Sequence, residues 1–143
     1  MTSEQSLTDV DAIRKRPGMY IGDVTDGSGL THLGWELVAN SLDQHLAGRC
    51  TRVDVVLHHD GSVVVDDDGP GIPISDIDGR PFAEVALTRF HTTPTFDGHA
   101  PHEHVGRYGV GLFVLNALSS RLALDVFRDG FHYTQRLERG ALR

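Results

Sequence analysis

The alternation of apolar and polar residues divides the chain into helices and short paired strands. Proline-poor stretches with helical periodicity predict helices at 7–15, 30–46, 81–90 and 108–119. The first would begin at a Thr8 or Asp9 cap. Apolar runs that flank Asp-Gly turns predict two hairpins, 52–57 with 62–65 and 121–127 with 131–137. The stretch 18–22 is predicted to be extended. Helices interleaved with hairpins predict an α/β fold, a two-layer sandwich in which helices cover a mixed sheet.

The predicted helix at 30–46 is apolar around most of its circumference. Four of its polar side chains form a strip within one arc of roughly 80° at 100° per residue, and they are His32, Glu36, Asn40 and Asp43. One interpretation is that this strip faces water. The other is that it lines a cavity, where a carboxylate and an amide need partners. In that case Glu36 would take a proton from water, His32 would orient it, and Asn40 would offer its oxygen to a hard cation.

An acidic, glycine-rich turn follows the strand predicted at 62–65. Three valines, 63–65, predict a buried strand that leads directly into residues 66–73, Asp-Asp-Asp-Gly-Pro-Gly-Ile-Pro. The turn is either simply solvated or aims a carboxylate into a pocket, where it would accept a hydrogen bond from an exocyclic amine such as that of adenine. Glycines there would let the backbone pass close to the base. Strand alternation places Val65 and Asp67 on one face, which makes Asp67 the candidate.

A second glycine-rich segment opens the helix predicted at 108–119. Gly106, Gly109 and Gly111 stand where free backbone amides and the helix dipole attract anions, and glycines let phosphates approach the backbone. The alternative is that these glycines serve packing or a simple turn. The spacing is neither the dinucleotide fingerprint nor a P-loop.

Composition excludes several classes of protein. The 143 residues are 39% hydrophobic and 23% charged, which suits one globular domain. No apolar run approaches the roughly 18 residues needed to span a bilayer, and the first residues do not form a secretory signal. A single cysteine, Cys50, predicts a reducing cytoplasm. The net charge of −7 argues against nucleic-acid binding by this domain alone.

Two clusters of like side chains have alternative interpretations. The basic run 14–16 is either a solvated helix end or a contact patch for another domain or for DNA. Histidines in a polar stretch form either a zinc site or part of a solvated lid, and they are His91, His99, His102 and His104.

The order of these motifs resembles the ATPase domain of the DNA gyrase B subunit and its topoisomerase IV counterpart. The run 14–23 carries the strongest similarity, which continues through Glu36, Asn40, 67–73, 109–111 and 116–119. The resemblance implies a sandwich of the GHKL (Bergerat) ATPase type that binds Mg-ATP. It implies that Glu36 is the general base, assisted by His32, and that Asn40 binds Mg²⁺. The nucleotide-binding residues it implies are Asn40, Asp67, Gly71, Ile72, Pro73, Gly106, Gly109, Val110, Gly111 and Arg128, the last being the arginine that aminocoumarin drugs contact.

Several family residues are replaced in this chain. Pro70 stands in place of an arginine that pairs with the acid at Asp43, and Thr95 in place of a nucleotide-contacting lysine. Val105 replaces the first glycine of the phosphate motif, and Ala39 replaces an acid. The transducer domain, whose lysine reaches the γ-phosphate, would also be missing. Because phosphoryl transfer depends on positioned positive charge, we expect very slow hydrolysis.

The resemblance also implies a function and partners. Residues 1–143 would be one ATP-binding domain, without the family's last strands and transducer, of a gyrase-B-like type II DNA topoisomerase subunit. DNA would be contacted only through other domains or subunits, with a gyrase-A-like partner and dimerisation on ATP binding. The alternative is a free-standing degenerate module that binds nucleotide or a protein partner without catalysis.

Overall fold

The structure of the chain, a computed structural model, describes residues 3–89 and 111–143. Within these residues the helices are α1 (Ser3–Lys15), α2 (Gly18–Ile21), α3 (Ser28–Leu46), α4 (Phe82–Thr88) and α5 (Gly111–Leu118). The strands are β1 (Val53–Leu57), β2 (Val63–Asp67), β3 (Asp76–Ile77), β4 (Arg80–Pro81), β5 (Arg121–Arg128), β6 (Phe131–Glu138) and β7 (Ala141–Leu142). The predicted α/β architecture is therefore confirmed.

The N-terminal segment differs from the sequence-based expectation in two respects. Helix α1 begins at Ser3, so the predicted cap at Thr8 or Asp9 is wrong. Residues 18–21, predicted to be extended, form the helical turn α2, in which the Ile21 amide donates to the Pro17 carbonyl at 3.1 Å. Proline favours this turn because its fixed φ, −60° at Pro17, already has the helical value.

Both predicted hairpins are present, and the turn of the second explains its register. Strands β1 and β2 pair from Val53↔Asp67 to Leu57↔Val63. Strands β5 and β6 pair over their whole lengths, joined by Asp129 and Gly130 at φ 53° and 79°. Two consecutive left-handed residues match the right-handed twist of the strands, which is why an Asp-Gly pair is a reliable hairpin signal.

The strands of the described ranges form three separate antiparallel sheets instead of one mixed sheet. Their orders are β1-β2, β3-β4 and β5-β6-β7. Strand β2 pairs with β1 alone and β5 with β6 alone, so each has one edge without a strand neighbour among the described residues, and both strands line a common groove. The expected burial is wrong for Val63 and Val64, which are 37% and 46% exposed, while Val65 is half-buried. A two-stranded sheet packed by one helix leaves such residues accessible.

The core lies between α1, α2, α3 and α5, and it places α3 beside α5. Its buried members are Val10, Ile13, Ile21, Leu33, Phe113, Val114, Leu115 and Ala117. Asn116 is also buried, and its amide donates to the Leu87 carbonyl at 2.8 Å and the Gly140 carbonyl at 3.3 Å. This asparagine ties α4 and the β6–β7 turn to α5. No helix in the two described ranges combines the length and apolarity that crossing a membrane requires.

Candidate functional site

The carboxylate of Glu36 lies in the interior, on the face of α3 that packs against α5. Glu36 is only 6% exposed. His32, one turn earlier, places its Nε2 atom 3.3 Å from Glu36 Oε1. This contact is an ion pair only when the imidazole is protonated, and Nε2 makes no aligned hydrogen bond within the described part of the chain. The structure thus brings together the two residues predicted to activate water.

Asn40 lies one turn further along the same helix and lines the groove. Its Nδ2 donates to the Glu36 carbonyl at 2.7 Å, which leaves the amide oxygen as the group available to a ligand. One neutral oxygen fits Mg²⁺, because this ion retains several waters and binds mainly through phosphate oxygens and few protein groups. The donor set at Asn40 therefore suits a magnesium ion that arrives with a triphosphate.

Asp67 ends β2 with its carboxylate held in a fixed orientation at the groove. The Ser41 hydroxyl of α3 donates to Oδ2 at 2.5 Å, and the Gly69 amide donates to Oδ1 at 2.9 Å. Each carboxylate oxygen keeps a further lone pair for a ligand. Val65 and Asp67 are both half-buried while Asp66 is exposed, as strand alternation predicted. Sequence reasoning missed Ser41, because its direction around α3 lies outside the polar strip.

The carboxylate of Asp68, the next residue, accepts hydrogen bonds from the segment that precedes β1. Its carboxylate accepts from the Thr51 hydroxyl at 2.5 Å, the Arg52 amide at 3.0 Å and the Thr51 amide at 2.8 Å. These donors, the Thr51 hydroxyl first, hold the pKa of Asp68 well below its usual value. Asp68 therefore fastens the end of β2 to the segment before β1 and is not a ligand group.

Replacing Asp68 by asparagine is expected to lower stability most at neutral pH. Because the pKa is lower in the folded chain, its contribution is complete above the unfolded value of about 3.9 and is lost as the pH falls through the folded value. Urea unfolding of wild type and Asp68→Asn at a series of pH values should show a stability gap that narrows below about pH 4. Asp66→Asn, which removes the same charge at an exposed position, controls for net charge. A gap that does not change with pH would contradict this role.

The loop after β2 requires a glycine at position 71 and is held by β5. Gly71 has φ +79°, and a Cβ there would lie 2.6 Å from Val126 Cγ1. Arg128 Nη1 donates to the Gly71 carbonyl at 2.9 Å. Ile72 and Pro73 follow and line the groove. Arg128, predicted to contact the nucleotide at the rim, is thus observed to hold the loop backbone.

The predicted phosphate-binding segment is described only at its end. Gly111 is buried at the first residue of α5, where it packs against the Glu36 carboxylate. The other members of the motif lie outside the described residues, namely Gly106, Gly109 and Val110. The replacements at Thr95 and Val105 lie outside them too, as do His91, His99, His102 and His104. The residues that are described contain no cluster of three metal-ligating side chains.

A groove with a volume of about 1360 Å³ brings together Asn40, Asp67 and the loop after β2, whereas Glu36 and His32 are not part of its lining. It is lined by Asn40 and Ser41 from α3, by β2 and its loop, by Gly111, and by β5. This exceeds the roughly 300–1,000 Å³ of most small-ligand sites. A nucleotide would therefore fill only part of the space between β2 and β5.

Comparisons with known proteins agree with this geometry. Residues 25–140 match the family described as histidine kinase-, DNA gyrase B-, and HSP90-like ATPase. The chain is similar to the DNA gyrase B protein of Caulobacter vibrioides, at 48% identity over 136 residues, which are 94% of this chain and 17% of that protein. It is equally similar to the DNA gyrase B protein of Haloferax volcanii, at 48% identity over 138 residues, 95% of this chain and 21% of that protein.

A solved structure is similar over nearly the whole chain. The crystal structure of the 43K ATPase domain of Thermus thermophilus gyrase B in complex with an aminocoumarin superimposes with a TM-score of 0.81 and 36% identity. The match covers 99% of this chain and 34% of that one. This chain spans about a fifth of the length of the two gyrase B proteins it matches.

Proposed function

Because the chain belongs to the histidine kinase-, DNA gyrase B-, and HSP90-like ATPase family, we propose that residues 1–143 form one ATP-binding domain of the gyrase-B type. The observation that carries this proposal is the Ser41–Asp67 hydrogen bond. It joins α3 to the end of β2, so that an oriented carboxylate and the Asn40 amide line the same groove. An amine-accepting group and a magnesium ligand that line one groove suit a nucleotide bound with its metal.

Different residues of the site would bind different parts of the nucleotide. Asp67 accepts a hydrogen bond from the adenine amine, and the loop from Gly71 to Pro73 passes along the base. Asn40 would hold Mg²⁺ through its amide oxygen, and the ion would offset the charge of the phosphates. The phosphates would be held by the glycine-rich segment, of which Gly111 is described and Gly106, Gly109 and Val110 lie outside the described residues.

Hydrolysis would begin with a water beside Glu36. The buried carboxylate takes a proton from this water as the water oxygen attacks the γ-phosphate and ADP leaves, and His32 at 3.3 Å orients the carboxylate. We expect this reaction to be very slow in the isolated chain, because positions 70 and 95 carry proline and threonine where the family has cations. Loss of one such electrostatic group costs roughly 10²-fold or more in rate.

The larger assembly is part of the proposal. The gyrase relatives support a role in an ATP-dependent type II DNA topoisomerase of the cytoplasm, with a gyrase-A-like partner and dimerisation on ATP binding. The net charge of −7 agrees with DNA contact through other domains or subunits. Similarity over nearly the whole chain favours this function over a degenerate interaction module.

Isothermal titration calorimetry of the 143-residue chain tests the proposal. We expect one ATP per chain, tighter binding when Mg²⁺ is present, and markedly weaker binding of GTP, which carries an oxygen where adenine has its amine. Binding of both nucleotides with equal affinity would contradict the role of Asp67. No detectable binding of ATP would overturn the proposed function itself.

A further inference from the structure

Gly111 is a glycine although its backbone does not require one. It is the first residue of α5, and its φ lies outside the left-handed region that favours glycine. In a helix, glycine is less favourable than alanine because it loses more conformational freedom. Some other property of this position must therefore explain the residue.

The explanation lies in the space beside it. A Cβ on Gly111 would overlap the Oε2 atom of Glu36 and would lie 3.2 Å from its Cδ atom. The Cβ atom of Glu36 would be at 3.8 Å, an ordinary contact. The carboxylate of Glu36 thus occupies the place of the side chain that Gly111 does not have.

We propose that Gly111 is a positioning residue for Glu36, an inference that rests on the proposed function of Glu36 as the base. The carboxylate is confined between two elements, with His32 against Oε1 and the first turn of α5 against Oε2. Confinement matters because displacement of a catalytic group by about 1 Å can cost 10²-fold in rate. This role is separate from the backbone contact with phosphate that the glycine pattern predicts.

Alanine at this position should displace the base and leave the fold intact. The atoms it would meet belong to the far end of a flexible side chain, so the Glu36 carboxylate can rotate away while α3 and α5 stay packed. If Gly111 served only to admit phosphate, Gly111→Ala would weaken ATP affinity together with hydrolysis. If it positions Glu36, hydrolysis falls while affinity is preserved.

The 143-residue chain allows this distinction with a matched control. Single-turnover hydrolysis, with enzyme in excess of Mg-ATP and above its Kd, should fall at least 10-fold in Gly111→Ala, while the calorimetric Kd for ATP changes less than about 3-fold. Gly18→Ala is the control, because Gly18 is also the first residue of a helix and a Cβ there meets nothing within 4 Å. It should leave both quantities unchanged. An unchanged rate in Gly111→Ala, or equal losses of rate and affinity, would overturn the proposal.

Shortening the acid supplies a rescue test. Glu36→Asp removes one methylene and makes room for a Cβ at position 111. Adding Gly111→Ala to Glu36→Asp should therefore change the hydrolysis rate less than about 3-fold, whereas independent sites would multiply their losses. Multiplied losses would overturn the proposal.

Thermal unfolding without nucleotide separates this inference from the proposed function. In a Glu36→Ala background, Gly111→Ala should raise Tm, because alanine favours the helix more than glycine and no carboxylate is displaced. Beside native Glu36 the same substitution should raise Tm less or not at all. Hydrolysis without this coupling would overturn the positioning role alone. Coupling without hydrolysis in any variant would overturn the catalytic part of both proposals.

Discussion

The Asp67→Asn chain is expected to bind ATP roughly 5- to 150-fold more weakly than wild type. Asparagine preserves the shape of the side chain, and its oxygen can still accept from the Gly69 amide. Its NH₂ group, however, would face the Ser41 hydroxyl and the adenine amine, which needs an acceptor. An unsatisfied buried polar group costs about 1–3 kcal/mol, which corresponds to that loss of affinity. Calorimetric titration with Mg-ATP measures it.

Two controls make this result specific. Asp66→Asn removes the same charge from the neighbouring exposed residue and should leave Kd within about 2-fold. Inosine triphosphate, which carries an oxygen in place of the adenine amine, should bind wild type weakly but lose little further affinity in Asp67→Asn. If the variant loses ATP and inosine triphosphate equally, Asp67 does not recognise the amine.

Much of the secondary structure follows from local sequence signals. The turn at Asp129 and Gly130 needs two left-handed residues, and Asp-Gly supplies them at low cost, so the β5–β6 hairpin is confirmed with its boundaries shifted by one residue. The strand β3, with two residues, carries no periodicity from which it could be predicted. The prediction of an extended segment at 18–22 is wrong because Pro17, which follows the end of α1, has the φ value with which a helix begins.

The arrangement of the sheets could not be predicted from the same signals. A run of valines such as 63–65 indicates a strand but not which strands lie beside it. Among the strands that the structure describes, β2 pairs with β1 alone, and its exposed valines result from that pairing. Long-range strand order is set by packing between distant segments, which a single sequence does not encode locally.

The residues of the site also divide into those that the sequence predicts and those that only the tertiary structure reveals. Glu36 and Asn40 stand out because polar residues on an otherwise apolar helix need a reason, and Asp67 stands out by strand alternation. Ser41 and the contact between Gly111 and Glu36 depend on how closely α3 approaches β2 and α5. Those distances depend on the tertiary packing and cannot be predicted from local sequence. They add a second role for Gly111, which belongs to the predicted phosphate segment and also packs against the carboxylate of Glu36.

Because Glu36 is the proposed general base, its replacement should have the largest effect on hydrolysis. Glu36→Gln preserves the size of the side chain but cannot take a proton from water. General bases contribute about 10²- to 10⁴-fold, so single-turnover hydrolysis of radiolabelled Mg-ATP should fall by that amount. The Kd for ATP should stay within about 3-fold, because the base acts on water and not on the nucleotide.

Glu84→Gln provides the matched control for the Glu36 variant. Glu84, on α4, is half-buried, pairs with Arg80 at 3.2 Å and does not line the groove, so its replacement should leave the rate unchanged. Because wild type itself is expected to be slow, the comparison needs single turnovers with enzyme in excess. A Glu36→Gln rate equal to that of wild type would mean that another group activates water. Asn40 donates to the backbone carbonyl of Glu36 and not to its carboxylate. Glu36→Gln should therefore remove the base without changing how Asn40 binds the metal.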